Sequence, residues 1–258
     1  MLINIIVYIL SIFIVFIIIN NFILSNVNEK FDENNIQFLS KEDVTNILIN
    51  DDDNYYKKFF NVDFRMRNVS SANEYIELIK NTSCDMNVIQ KNKIRKCINK
   101  ANERLKKINF EWFDGEKAAS IPWKIGSIQG KLYENGLPHT RNDVIIISKK
   151  NIDNYNNDKL TNTLIHEKVH VYQKKNNSDV EKYLIENNFK AIKYRDEEDY
   201  IRANPDLDNI VYSDLNDNIY KATYTQNCKT IEDVVYTPQN SQTYEHPFEK
   251  MAIYIENY

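Results

Sequence analysis

Glycine, proline, cysteine and histidine are all scarce in this chain of 258 residues: 4 Gly, 5 Pro, 3 Cys and 4 His. The few Gly and Pro sit beside abundant Asn and Ile, which reads as the coding bias of an AT-rich genome rather than as low complexity. The three cysteines, Cys84, Cys97 and Cys228, have no metal-type spacing, and an odd count fixes no disulfide framework. An oxidising and a reducing compartment are both compatible with them. Basic charge is not in excess: 33 Lys and Arg face 37 Asp and Glu, a net charge of -4. No nucleic-acid partner is therefore expected. No internal repeat is visible.

Charge is also missing from residues 2–28, and residues 5–19 are almost wholly apolar. The run is long enough to span a bilayer with some tilt. No basic residue precedes it and no small-x-small cleavage site follows. An uncleaved anchor at 1–25 is therefore expected over a cleaved signal peptide. Glu29, Lys30, Asp32 and Glu33 follow it and give no Lys/Arg bias, so orientation stays open. Residues 26–39 read as a polar tether.

A helical subdomain is expected over 40–118. Ser40 with Asp43 marks a helix start, and further helices are expected near 55–60, 71–80 and 86–108. After Asp114 the texture changes, and a second domain is expected over 119–258. Residues 121–128 and 144–148 read as strands. Ser178 with Glu181 suggests a capping box for a helix to about 192, and Asn204-Pro205 marks a loop. A hairpin at 211–225, a strand at 233–237 and a short C-terminal helix from Pro247 complete an α+β chain.

The informative stretch is 164–173. It reads as a helix carrying His166-Glu167-x-x-His170. Positions four apart share one helix face, so two imidazoles there can hold one zinc ion. Glu167, one step round, can reach a water on that face and serve as general base. A catalytic zinc takes three protein ligands and keeps a fourth position open. The third ligand has to come from elsewhere in the chain. A pair of ordinary helix histidines is the plain alternative.

These residues resemble the zincin metallopeptidases. The metzincin branch places Gly and a third His where this chain has Gln173 and Asn176, so that branch is excluded. The gluzincin branch takes a glutamate from a later helix. The last helix here carries Glu249-x-x-Ala252 beside an apolar stripe of Phe248, Met251, Ala252 and Ile255. The resemblance implies Glu249 as third ligand, with Glu245 as runner-up. A glutamate in the first turn of a helix is also favoured by the dipole alone. The resemblance further implies an oxyanion donor in the later segment, with Tyr244 and His246 as candidates. It also implies an edge strand that pairs with extended substrate, in the place of 144–148, although the continuous Ile run there equally fits a core strand. His139, in the turn before that strand, is a weaker candidate for the cleft.

The expectation is thus an α+β, zincin-like, membrane-anchored zinc peptidase acting on a peptide or protein substrate. More loosely, the chain is similar to membrane-anchored zincin-like proteins encoded by large DNA viruses. The first rival is a non-catalytic zincin-fold binding or assembly protein of a membrane or virion envelope. The second is a chance motif on a helical membrane adaptor.

Overall fold

The computed structural model describes residues 35–239 and 244–258. The expected anchor at 1–25 lies outside them. Among the described residues, no helix is long and apolar enough to cross a membrane.

The chain enters the fold as a strand, β1 (Ile36–Phe38), so the expected tether ends before its predicted limit. Helix α1 (Lys41–Asn50) starts at Ser40, whose hydroxyl accepts the Asp43 N–H in the anticipated capping box. A single 3-10 turn at Tyr56–Lys58 and a short helix α2 (Asn61–Met66) replace the helix expected near 55–60. Helices α3 (Ala72–Thr82) and α4 (Val88–Leu105) follow, capped by Ser71 and Asn87. A small hairpin of β2 (Asn109–Phe110) and β3 (Phe113–Asp114) leads into α5 (Gly115–Ser120).

The main sheet is completed by β4 (Trp123–Ile128), β5 (His139–Arg141) and β6 (Val144–Ser148). Its order is β1-β4-β6-β5, with β5 antiparallel and the other neighbours parallel. The run at 144–148 is therefore an inner strand, which its unbroken apolar character suits. The edge strand is the three-residue β5, too short to announce itself by alternation. Helix α6 (Lys149–Asn154) then leads to α7 (Asn157–Lys175), which carries the motif and starts at Asn156, whose side chain accepts the Lys159 N–H. Helix α8 (Asn177–Glu186) stops short of its expected end, because Lys190–Tyr194 forms a strand, β7. β8 (Ile210–Ser213), β9 (Ile219–Tyr224) and β10 (Val234–Thr237) make an antiparallel meander ordered β10-β9-β8-β7. Helix α9 (Pro247–Asn257) closes the chain.

Alternating residues of the sheet serve opposite layers. Val144 and Ile146 pack with Val44, Leu48, Tyr75 and Ile79 of α1 and α3. Gly126 allows that layer to close: a Cβ there would meet Ile146 at 2.7 Å and Val44 at 2.9 Å. Ile145 and Ile147 face the other way, into a core shared by Ile94 and Leu105 of α4, Leu164 of α7 and Met251 of α9. That core and the β1–β4 pairing join residues from both sides of position 118. The expected split into a 40–118 subdomain and a 119–258 domain is therefore not a boundary of the core. Helix α7 is buried on nearly every side, from Leu160 to Gln173, which fixes the orientation of its side chains.

Candidate metal centre

His166 and His170 lie one turn apart on α7, and α9 brings Glu249 against them. The ligand atoms of the three all fall within 4.8 Å of one another. The two Nε2 atoms are 3.1 Å apart; Glu249 Oε2 is 3.3 Å from His166 Nε2, and Oε1 is 3.8 Å from His170 Nε2. The small Ala252, wholly buried, sits where α9 crosses α7.

The outer ring nitrogens fix what the inner ones can offer. His166 Nδ1 lies 3.1 Å from Glu256 Oε2, and His170 Nδ1 lies 2.8 Å from Gln173 Oε1. Both partners are acceptors, so each Nδ1 carries the proton in the neutral ring, and each Nε2 presents a lone pair. Gln173 is itself held, since its Nε2 donates to the Phe248 carbonyl at 3.0 Å. Two imidazole lone pairs and a carboxylate thus face one another. Such a donor set could hold a metal ion, and two nitrogens with one carboxylate oxygen suit a borderline divalent one. Outer partners of this kind are what orient metal-binding histidines.

The electrostatics agree. Burial alone would discharge His166, but hydrogen bonds to Glu249 and Glu256 outweigh it and hold its pKa well above the usual histidine value. Burial lowers the pKa of His170. Burial would raise Glu249, yet the hydrogen bond to His166 and the charges of both histidines pull it far down. Glu167 is pushed the other way. Burial, then the charge of Asp206, raise its pKa well above the carboxylate range. The Thr140 hydroxyl donates to Glu167 Oε2 at 2.9 Å.

Glu167, His166, Glu249, Tyr244 and His139 line one cavity of about 450 Å³. A larger cavity of about 730 Å³ is also lined by the 202–206 segment and by neither imidazole of the motif. His139 is buried on β5, with Nδ1 2.9 Å from the Leu137 carbonyl. Two expectations fail. Glu245 is not beside the imidazoles as a ligand: it pairs with Arg202 and accepts from Asn204 Nδ2 at 2.7 Å. His246 is not free to donate to a substrate. It caps α9, its Nδ1 accepting the Phe248 N–H at 3.1 Å, and its Nε2 is 3.1 Å from both Asp208 Oδ1 and the Ile210 carbonyl.

Sequence reasoning missed the supporting residues. Glu256 had a signal, since it follows Glu249 by seven, two turns along the same face. Gln173 follows His170 by three, also one turn on. Thr140, Asn204 and Asp206 had none, because a three-residue edge strand and a loop bring them in. No family model, no curated protein and no solved structure matches this chain.

Proposed function

We propose that the chain is a zincin-like, zinc-dependent metallopeptidase of gluzincin type that hydrolyses peptide bonds. The observation that carries the reading is the convergence of His166, His170 and Glu249, with Glu167 on the wall of the same cavity. Bound at this triad, a zinc ion would polarise the scissile carbonyl and acidify water. His166 and His170 hold their rings in place through Glu256 and Gln173. Glu167 accepts the proton from water and returns it to the leaving amine. Its raised pKa suits both halves of that task, and positive charge at the triad favours its ionised form. Thr140 keeps the carboxylate aimed by its hydroxyl hydrogen bond. Tyr244, on the same cavity wall, is the proposed oxyanion donor. Residues 1–25 would tether this domain to a bilayer, a role that carbonate extraction of membranes checks.

Replacing Glu167 with Gln tests the mechanism. The variant should bind zinc as the parent does and lose about 100- to 10,000-fold in turnover of a peptide library. A variant as active as the parent would end the proposal. The rival reading, a non-catalytic binding protein on the same fold, is favoured by one feature: the outward edge of β5 at Thr140 is already engaged by the chain itself. A zinc-loaded chain that cleaves no peptide, even when Asp206→Ala frees the Thr140 edge, would support it.

A further inference from the structure

The edge of β5 is where an extended peptide would add to the sheet. Thr140 stands opposite Ile145 of β6, and its own N–H and C=O point outward. Those two groups are the anchor for strand addition. Here both are engaged. The N–H donates to Asp206 Oδ1 at 2.5 Å, and the carbonyl accepts from Lys174 Nζ at 2.8 Å. The same ammonium donates to the Pro205 carbonyl at 2.7 Å, tying that residue to the strand edge.

The turn that does this also reaches the metal centre. Asn204 Nδ2 donates to Glu249 Oε1 at 3.2 Å and to Glu245 at 2.7 Å. The 202–206 segment lines both cavities. Its first half is firmly rooted. The Arg202 N–H donates to the Ala222 carbonyl at 2.8 Å, the Ala203 N–H to Asp63 Oδ1 at 3.1 Å, and the Ala203 carbonyl accepts from Arg67 at 3.1 Å. The second half touches β5 only through side chains and the lysine bridge. Pro205 has no N–H, so the turn cannot itself pair as a strand. It covers the edge without replacing a partner strand.

We propose that the turn at 204–206 is an internal plug. It closes the Thr140 edge beside Glu249, so the chain is latent as folded. An extended peptide lies along β5, past the metal centre, only after the turn leaves Thr140. What the peptide then meets rests on the peptidase reading, but the occlusion is testable without turnover.

The experiment uses the full chain loaded with zinc, carrying Glu167→Gln, and measures how much of a random fluorescent peptide library it retains. Asp206→Ala removes the acceptor from Thr140. Asp206→Asn keeps an acceptor oxygen for the Thr140 N–H while removing the carboxylate charge. Adding Asp206→Ala should raise retention about tenfold, the weight of one hydrogen bond to a charged acceptor, and Asp206→Asn should not. Hydrogen exchange in the peptide that contains Thr140 should quicken in the Ala variant and slow again with the library present. Should Asp206→Ala fail to fold, Lys174→Met removes the bridge to Pro205 and is expected to act in the same direction. Equal retention by all variants, or an Asn variant that matches the Ala variant, overturns the plug. With Glu167 restored, a zinc-loaded Asp206→Ala chain that retains more peptide yet cleaves none refutes the peptidase reading alone. A parent that cleaves as fast as Asp206→Ala, with equal retention, refutes the plug alone.

Discussion

On the α1 and α3 side of β5, Arg67 and Arg141 are buried among carboxylates and tyrosines. Arg141 donates to Asp51 and Asp53 at 2.6–2.8 Å, and Arg67 donates to Glu134 at 2.7 Å and to Tyr55 at 2.5 Å. Asp51 also accepts three backbone N–H groups, from Tyr55, Tyr56 and Lys57. Every cation in this network has an acceptor and every carboxylate a donor. Across the strand, the imidazoles of His166 and His170 and the carboxylate of Glu249 lie 3.1–3.8 Å from one another. The network is buried apart from a partly buried Asp53, the triad is buried in part, and both shift pKa values, so titration does not tell them apart. What differs is saturation. The ionic network is complete within the chain, as a structural cluster must be. The triad draws its balancing charge from a proton on His166, whose place a divalent ion could take.

The sharpest way to break this contrast is to remove one partner from the network. Arg67→Ala leaves Glu134 buried without its counter-ion and should cost about 3–5 kcal/mol in urea unfolding, while zinc still raises the melting temperature of the folded fraction. A loss below about 1 kcal/mol would place the network among surface-like pairs. Glu249→Gln should act in the reverse sense: zinc affinity falls by more than about 100-fold, the upper end for losing even an outer partner, and zinc no longer shifts melting. An unchanged affinity would remove Glu249 from the ligand set. Glu256→Ala should weaken zinc about 10- to 100-fold by freeing the His166 ring, with ligand number unchanged in X-ray absorption.

The smallest expected effect lies in acid. Burial would raise the pKa of Glu134, but the charge and hydrogen bond of Arg67 hold it below the usual carboxylate range. A carboxyl depressed on folding stabilises above its unfolded pKa, and that stabilisation drains as pH falls through the folded value. The parent should therefore lose stability below about pH 4.5 more steeply than Glu134→Gln, in urea midpoints measured across pH. Parallel curves would show that Glu134 is not ionised by Arg67.

The helix at the centre of the site was legible because its ligands are local. His166 and His170 are spaced by one turn, so the motif itself marks the helix that carries it. Pro247 and the apolar stripe likewise announced α9, and Glu249 was the better of two glutamates. The edge strand was not legible, because three residues carry no alternation and the neighbouring isoleucine run is the more conspicuous strand. The fate of His246 was hidden for a different reason. A histidine before proline at a helix start can cap or face a cleft, and only the tertiary placement of Asp208 and Ile210 decides. The core shared across position 118 was not legible, because β1 reads as part of a polar tether and α4 as part of a helical region, although both pack against later elements. The plug was invisible, since Thr140, Lys174, Asn204 and Asp206 are unremarkable polar residues brought together by a loop.

The most direct measurement is the metal content of the purified full chain after equilibration with zinc and removal of the excess. The account predicts one zinc per chain, lost when His166 and His170 are both replaced by Ala. A chain that stays zinc-free, or a double variant that keeps its zinc, would contradict it.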